Sequence, residues 1–161
     1  GRLTGHLGLF FVLFALPAGI LGSRLGRRVT ISAGIVGMAV LIFGLFILPA
    51  STLAGQVAKL PVLGNVHVIS LLLMPAGIAW AMININSLPM VVDLTSLARV
   101  GTFTGLYYLF STFSAIVGPN VNGWAIQLTG NNYNIIMLIA PLFMMVALWL
   151  MLGVKRGEAI Q

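Results

Sequence analysis

The sequence predicts an all-α polytopic membrane protein, and its composition and hydropathy pattern carry that prediction. Of the 161 residues, 60% are hydrophobic and only 6% are charged. Soluble globular domains contain about a quarter charged residues, so this chain lacks the polar surface that a soluble domain of its length needs. The apolar residues form long runs over nearly the whole chain, which a single terminal signal peptide does not explain.

Five of these runs are long enough to cross a bilayer. A hydrocarbon core about 30 Å thick requires about 20 apolar residues in a helix. The predicted spans are residues 5–22, 29–50, 66–92, 103–128 and 134–153, followed by a tail at 154–161. Lipid offers no partner for backbone N–H and C=O groups, and the runs lack the alternation of barrel strands, so each span is predicted to be helical.

The basic residues predict the orientation of these spans. Lys and Arg near the ends of a span remain on the cytoplasmic side. Six of the eight basic residues lie on one side, in the turn at 24–28, at Arg99 and in the tail at 154–161. Only Arg2 and Lys59 lie on the other side. The first span is therefore expected to run from outside to inside, with a cytoplasmic C-terminus.

Several classes of function are excluded by the residues that could carry them. The chain has no cysteine, which excludes disulfides and thiolate metal sites. Its charge of +6 is scattered at the ends of apolar runs, so nucleic acid is not an expected partner. The acids are Asp93 and Glu158, both on the predicted cytoplasmic side, and there is no HExxH motif. We therefore expect no enzyme activity, no cofactor and no metal.

The two histidines, His6 and His67, fall at the predicted outer ends of their spans. A wet membrane interface accommodates a histidine, which is the simpler interpretation, and a role in proton relay is the alternative.

The turn between the first two spans carries a motif of glycine and arginine. The segment GILGSRLGRR resembles the G-x-x-x-D-R-x-G-R-R turn of the major facilitator superfamily, which joins the second and third helices of each six-helix half. The matching positions are Gly19, Arg24, Gly26, Arg27 and Arg28, and Ser23 stands where the family usually has Asp. Gly26 permits a sharp reversal, Gly19 lets another helix approach, and the arginines hold the turn at the membrane surface.

The resemblance implies the C-terminal half of such a transporter. In the superfamily the Asp of this turn is kept more faithfully in the N-terminal half, and here Ser23 replaces it. The chain also ends soon after its last span, as a final helix with a short tail would. The expected architecture is five transmembrane helices of a six-helix half-bundle, with the N-terminal half as a missing partner. A complete protein of five spans is the alternative.

A second resemblance concerns the later part of the chain. Residues 86–93, 101–110 and 118–123 resemble the sugar-transporting branch that includes sucrose-type proton symporters. This implies transport of a small polar solute, a sugar, by alternating access across the plasma membrane or a bacterial inner membrane, with protons as a coupling ion. The expected partners are membrane lipid, the solute and protons. The alternatives are a non-transporting membrane scaffold or assembly subunit, and an exporter of a non-sugar solute.

Polar residues within the third and fourth spans mark the candidate binding site. Amides at bilayer depth are costly unless they meet another helix or a water-filled cavity, so these two spans are predicted to be inner helices. The second and fifth spans are apolar all round and are predicted to face lipid. Because sugars are bound by amide hydrogen bonds and aromatic faces, the candidate substrate-binding residues are Trp80, Asn84, Asn86, Tyr107, Asn120 and Asn122.

An interhelical hydrogen bond, worth about 1 kcal/mol or less, is the alternative role for each amide. Asn84 and Asn86 lie about 200° apart on a regular helix, so they face one ligand only if the helix is irregular. Pro89 removes a backbone hydrogen bond to the carbonyl of Ile85 and is a candidate source of that irregularity.

Three further features carry expectations about conformational change and packing. Asp93 is predicted to pair with an arginine of the turn when the cytoplasmic gate is closed, and the alternative is that it caps the segment at 94–98. Gly118 and Pro119 predict a gating bend in the fourth span. Gly101 and Gly105 form a G-x-x-x-G pattern, for which close helix packing is the expectation.

Overall fold

Five long helices dominate the computed structural model, which describes residues 2–61 and 63–154, without the side chain of Arg2. They are α1 (Arg2–Leu25), α2 (Arg27–Ile47), α4 (Val68–Asp93), α5 (Val100–Leu128) and α6 (Ile135–Gly153). Each is long and apolar enough to cross a membrane, which confirms the all-α membrane fold. Lys155, Arg156 and Glu158 of the tail lie outside the described residues.

The connection between α2 and α4 contains structure that the hydropathy pattern did not predict. A short helix, α3 (Ala50–Leu53), leads into an antiparallel hairpin of β1 (Gln56–Leu60) and β2 (Gly64–His67). Gln56 pairs with His67 and Leu60 with Gly64, whose φ of +69° favours glycine. Strands of five and four residues with a proline between them give too short an alternation to stand out beside spans of 20 residues.

The central contact of the fold is between α1 and α4, and it depends on two glycines. A Cβ atom added at Gly77 would lie 2.3 Å from the carbonyl oxygen of Leu7 and 3.0 Å from the amide nitrogen of Phe11. A Cβ atom added at Gly22 would lie 1.7 Å from Oδ1 of Asn86. Glycine at these two positions lets the helices approach more closely than any side chain would permit.

Helix α2 packs between α4 and α6 through one of its faces. A Cβ atom added at Gly34 would lie 2.8 Å from the carbonyl oxygen of Ala79, and Ile31 and Ile35 are buried together with Met90. The opposite face exposes Val36 and other large apolar side chains. The expectation that α2 faces lipid therefore holds for one face only.

Helix α5 makes fewer contacts with the other long helices than any of them. None of its residues is buried within the part of the chain that the structure describes. Added Cβ atoms at Gly101 and Gly105 would meet no described atom within 4 Å, so no described helix packs closely against this pair. The helix continues without a break through Gly118 and Pro119.

Candidate functional site

A cleft of about 540 Å³ lies between α4 and α5. Polar and aromatic side chains occur on both of its walls. The lining residues are Trp80, Ile83, Asn84, Ser87 and Val91 of α4, and Phe103, Leu106, Tyr107, Phe110, Ser111 and Ser114 of α5. Three of the six predicted binding residues, Trp80, Asn84 and Tyr107, are therefore brought together.

The polar side chains of the cleft are only partly used by the helices themselves. Nδ2 of Asn84 donates to the carbonyl oxygen of Trp80 at 3.2 Å, and this is the only hydrogen bond of that side chain among the described residues. Ser87 and Ser114 donate to the carbonyls one turn earlier, at 2.6 and 2.8 Å. An amide has two donors and a carbonyl acceptor, so most of the hydrogen-bonding capacity of Asn84 is available to a ligand.

Aromatic rings provide the other part of the cleft surface. The rings of Tyr107 and Tyr108 pack edge to face with centroids 5.4 Å apart, and Tyr107 is the one that lines the cleft. Trp80 is 45% exposed and lines the same cleft. Indole and phenol rings beside an amide are the combination that binds the C–H and O–H surfaces of a polar solute.

Asn86 does not belong to this cleft. It is completely buried, and its Nδ2 donates to the carbonyl of Ala18 in α1 at 3.0 Å and to the carbonyl of Met82 at 2.9 Å. Asn84 and Asn86 thus face different neighbours, as positions two apart on a regular helix must, and Pro89 does not bring them together. The structure corrects the candidate site by giving Asn86 the interhelical role.

Asn120 and Asn122 also lie outside the cleft. Asn122 lines a second groove of about 510 Å³ between α5 and α6, whose other residues are mostly apolar. Asn120 is exposed and donates to the carbonyl of Ile116 at 2.7 Å. Asn120 lies on the opposite side of α5 from Tyr107, whereas Asn122 lies about four helical turns further along α5, beyond the end of the cleft.

Three serines of the cleft, Ser87, Ser111 and Ser114, are absent from the predicted site. Ser87 follows Asn84 by three positions, while Ser111 and Ser114 follow Tyr107 by four and seven. Residues at these spacings share one face of a helix, so the serines could have been found in the sequence by counting helical turns from Asn84 and Tyr107.

The arginine turn is folded as a sharp reversal between α1 and α2. Gly26 has a φ of +95°, where a side chain is disfavoured, and its carbonyl accepts a hydrogen bond from Oγ1 of Thr30 at 3.0 Å. A Cβ atom added at Gly19 would lie 3.4 Å from Cγ2 of Ile85 in α4, close to ordinary van der Waals contact. Ser23 is exposed and donates to the carbonyl of Ile20 at 2.9 Å.

The arginines of the turn have three different environments. Nε of Arg27 donates to Oδ2 of Asp93 at 2.5 Å, and the two side chains are 22% and 23% exposed. Arg28 donates to the carbonyl of Leu152 in the last turn of α6 at 2.7 Å. Arg24 is exposed. Asp93 therefore links the end of α4 to the turn. It is the last residue of α4, and Ser96 is the residue that precedes the 3₁₀ turn Leu97–Arg99, so the alternative in which Asp93 caps the segment at 94–98 is wrong.

Five helices of membrane-spanning length, with a basic turn joined to the end of α4 through Arg27 and Asp93, define a multi-pass membrane protein. The sequence model of the Major Facilitator Superfamily matches residues 3–160. The chain belongs to this superfamily, which is a family of transporters. Searches of curated proteins and of solved structures found no match.

Proposed function

We propose that this chain is part of a secondary active transporter and binds a small polar solute, a sugar, in the α4–α5 cleft. The observation that carries the proposal is that Asn84, Trp80 and Tyr107 line one cleft. A volume of about 540 Å³ lies within the range of small-molecule sites. The amide supplies directed hydrogen bonds, and the rings supply apolar surface for the C–H face of a sugar.

The exposure of α5 supports a second bundle as the partner that completes the cleft. A helix with no buried residue among those described would otherwise present Tyr107 and its serines to lipid. An N-terminal half of six helices would cover this side, and rocking of the two halves would expose the cleft alternately to each side of the membrane. By the distribution of basic residues, the end that carries the arginine turn is cytoplasmic, in a plasma or bacterial inner membrane.

The cleft residues also bear on coupling to protons. None of the described side chains that line the cleft is a carboxylate. We propose that a carboxylate used in proton symport comes from outside these cleft residues, in the other half of the transporter, whereas the amide and hydroxyl groups of α4 and α5 bind the solute.

Removing the Asn84 amide is the direct test of the cleft. In proteoliposomes containing the whole transporter, Asn84→Ala is expected to raise the KM for the transported sugar about tenfold, because it removes hydrogen bonds worth roughly 1.5 kcal/mol together. Trp80→Ala is expected to have an effect of similar size. Uptake of a panel of radiolabelled mono- and disaccharides gives the measurement.

The matched control is Asn120→Ala, which removes the same amide from an exposed position of α5 outside the cleft. It is expected to leave KM unchanged at an equal amount of protein. Equal effects of the two substitutions, or no effect of Asn84→Ala on any transported sugar, would reject the cleft. If the protein took up only non-sugar solutes, a sugar would be rejected as the solute, and the cleft would remain the proposed binding site.

The gating bend is a second part of the proposal. Pro119 has no N–H for the carbonyl of Ala115, and Gly118 has open space around it where it lines the α5–α6 groove. Gly118→Leu is expected to lower the rate of uptake severalfold without changing the amount of protein. Gly123→Leu, on the same helix but outside the groove, is the control, and an equal loss of uptake in both would argue against a gate at Gly118.

A further inference from the structure

His6 connects three separate elements at the hairpin end of the bundle. It lies in the second turn of α1 and is only 4% exposed. Its Nδ1 is 3.0 Å from Oγ of Ser70 in the first turn of α4, and its Nε2 is 2.9 Å from the carbonyl oxygen of Leu63 in the hairpin turn. One imidazole ring therefore fastens the hairpin to both helices.

The partners of His6 determine its tautomer. A carbonyl oxygen only accepts hydrogen bonds, so Nε2 must carry a hydrogen and donate to Leu63. Nδ1 of the neutral ring then accepts from the hydroxyl of Ser70, which is itself completely buried. Oγ of Ser70 also accepts from the backbone N–H of His67 at 3.4 Å. All of these bonds are satisfied together when the imidazole is neutral.

Protonation of His6 disrupts this arrangement. The second proton converts Nδ1 from an acceptor into a donor, so the hydroxyl hydrogen of Ser70 loses its partner and a positive charge is placed in a buried position. Among the described side chains of the hairpin and of the hairpin ends of α1 and α4, the other titratable groups are His67 and Lys59, and both are basic; Arg24 lies at the far end of α1. Asp93 lies at the opposite end of α4, so no described carboxylate stabilises the imidazolium.

We propose that His6 is a proton-binding site that controls docking of the hairpin on α1 and α4. The neutral ring holds the hairpin in place, and the protonated ring releases it. A histidine in water ordinarily binds a proton between about pH 5 and 8, so acidification favours the released hairpin, in which the ring is hydrated, over the docked one. The proposal does not depend on the solute or on the α4–α5 cleft.

The absence of cysteine from the chain allows a direct measurement. Val66 of β2 is 3% exposed and Val57 of β1 is 55% exposed, so Val66→Cys reports release of the hairpin and Val57→Cys reports the intrinsic reactivity of a thiol at each pH. The purified protein is placed in lipid nanodiscs, which leave both sides open to a maleimide. The ratio of the two reaction rates is expected to rise about tenfold between about pH 7.5 and about pH 5.

The histidines provide the matched pair of variants. His6→Gln cannot be protonated and is expected to abolish the pH dependence of the ratio. His67→Asn keeps a residue that caps a helix and is expected to preserve the pH dependence. A constant ratio with His6 present, or a pH dependence that follows His67 instead, would overturn the proposal. Should Val66→Cys not fold, hydrogen exchange of residues 56–67 in the cysteine-free protein at the same two pH values gives the decisive comparison.

Discussion

Gly77→Ala is expected to be the most damaging single-methyl change in the described part of the chain. The added Cβ would lie 2.3 Å from the Leu7 carbonyl oxygen and 3.0 Å from the Phe11 nitrogen. These are backbone atoms of α1, which cannot rotate away, so the two helices must move apart. Overpacking typically costs about 1–3 kcal/mol, and contact with a rigid helix backbone places this change at or above the upper end. Thermal unfolding in detergent, followed by the fraction of monodisperse protein, measures the loss.

Gly8→Ala is the control for this change. Gly8 lies in α1, on the partner helix of the same contact, but a Cβ atom added there would meet no atom within 4 Å. Alanine in an open helical position is expected to be neutral or to stabilise by up to about 1 kcal/mol. If the two alanines lowered the unfolding temperature equally, the close α1–α4 approach at Gly77 would be wrong.

Gly22→Ala tests the second close contact of the same pair of helices, and here a compensating change is available. The obstructing group is the Asn86 amide, whose Oδ1 would lie 1.7 Å from the new methyl. We expect Gly22→Ala to destabilise the fold and Gly22→Ala with Asn86→Ala to restore much of the loss, because the second change removes the amide. A double variant no more stable than Gly22→Ala would show that the obstruction lies elsewhere.

The five spans could be predicted from the sequence because the length and apolar character of a membrane helix follow from the bilayer alone. The contacts between the spans could not. In lipid no hydrophobic driving force favours an apolar side chain that faces another helix over one that faces lipid, so the buried face of α2 at Ile31 and Ile35 resembles its exposed face at Val36 and Val40. Gly19 was identified by its motif, whereas Gly77 belongs to no motif and is recognised only when α1 is in place.

Only part of the candidate site could be predicted from the sequence, for a related reason. An amide in a membrane must find a partner, but the sequence does not say which one. Asn84 and Asn120 use the carbonyl one turn earlier in their own helices, and Asn86 also uses Ala18 of α1. An asparagine within a span can therefore lie on an exposed helix face as well as beside a cavity. Only its position on the helix shows which of the two it faces. Trp80, Asn84 and Tyr107 satisfy that condition on the face between α4 and α5.

Charge reversal at Asp93 or Arg27 is expected to lower solute uptake by about tenfold, and exchange of the two charges is expected to restore it. The two side chains are each about one-fifth exposed, so Asp93→Arg leaves two facing cations, and Arg27→Asp leaves two facing anions, in a partly dehydrated position. A charge-assisted hydrogen bond is worth about 1.5–3 kcal/mol, which corresponds to tenfold or more in an equilibrium between conformations. Uptake into proteoliposomes at equal protein content measures the effect.

The neighbouring arginine makes this prediction specific to one pair. Arg24 belongs to the same turn but is exposed, and it forms no ion pair among the described residues. Asp93→Arg combined with Arg27→Asp should recover uptake, whereas Asp93→Arg combined with Arg24→Asp should not. Equal recovery by both combinations would mean that only the net charge of this surface matters. Recovery by neither would mean that the contact between α4 and the turn does not control transport. Recovery by the Arg27 combination alone would show that Asp93 is the carboxylate that pairs with Arg27. Ser23 stands where the turn would otherwise have an acid, so the turn itself cannot supply that carboxylate.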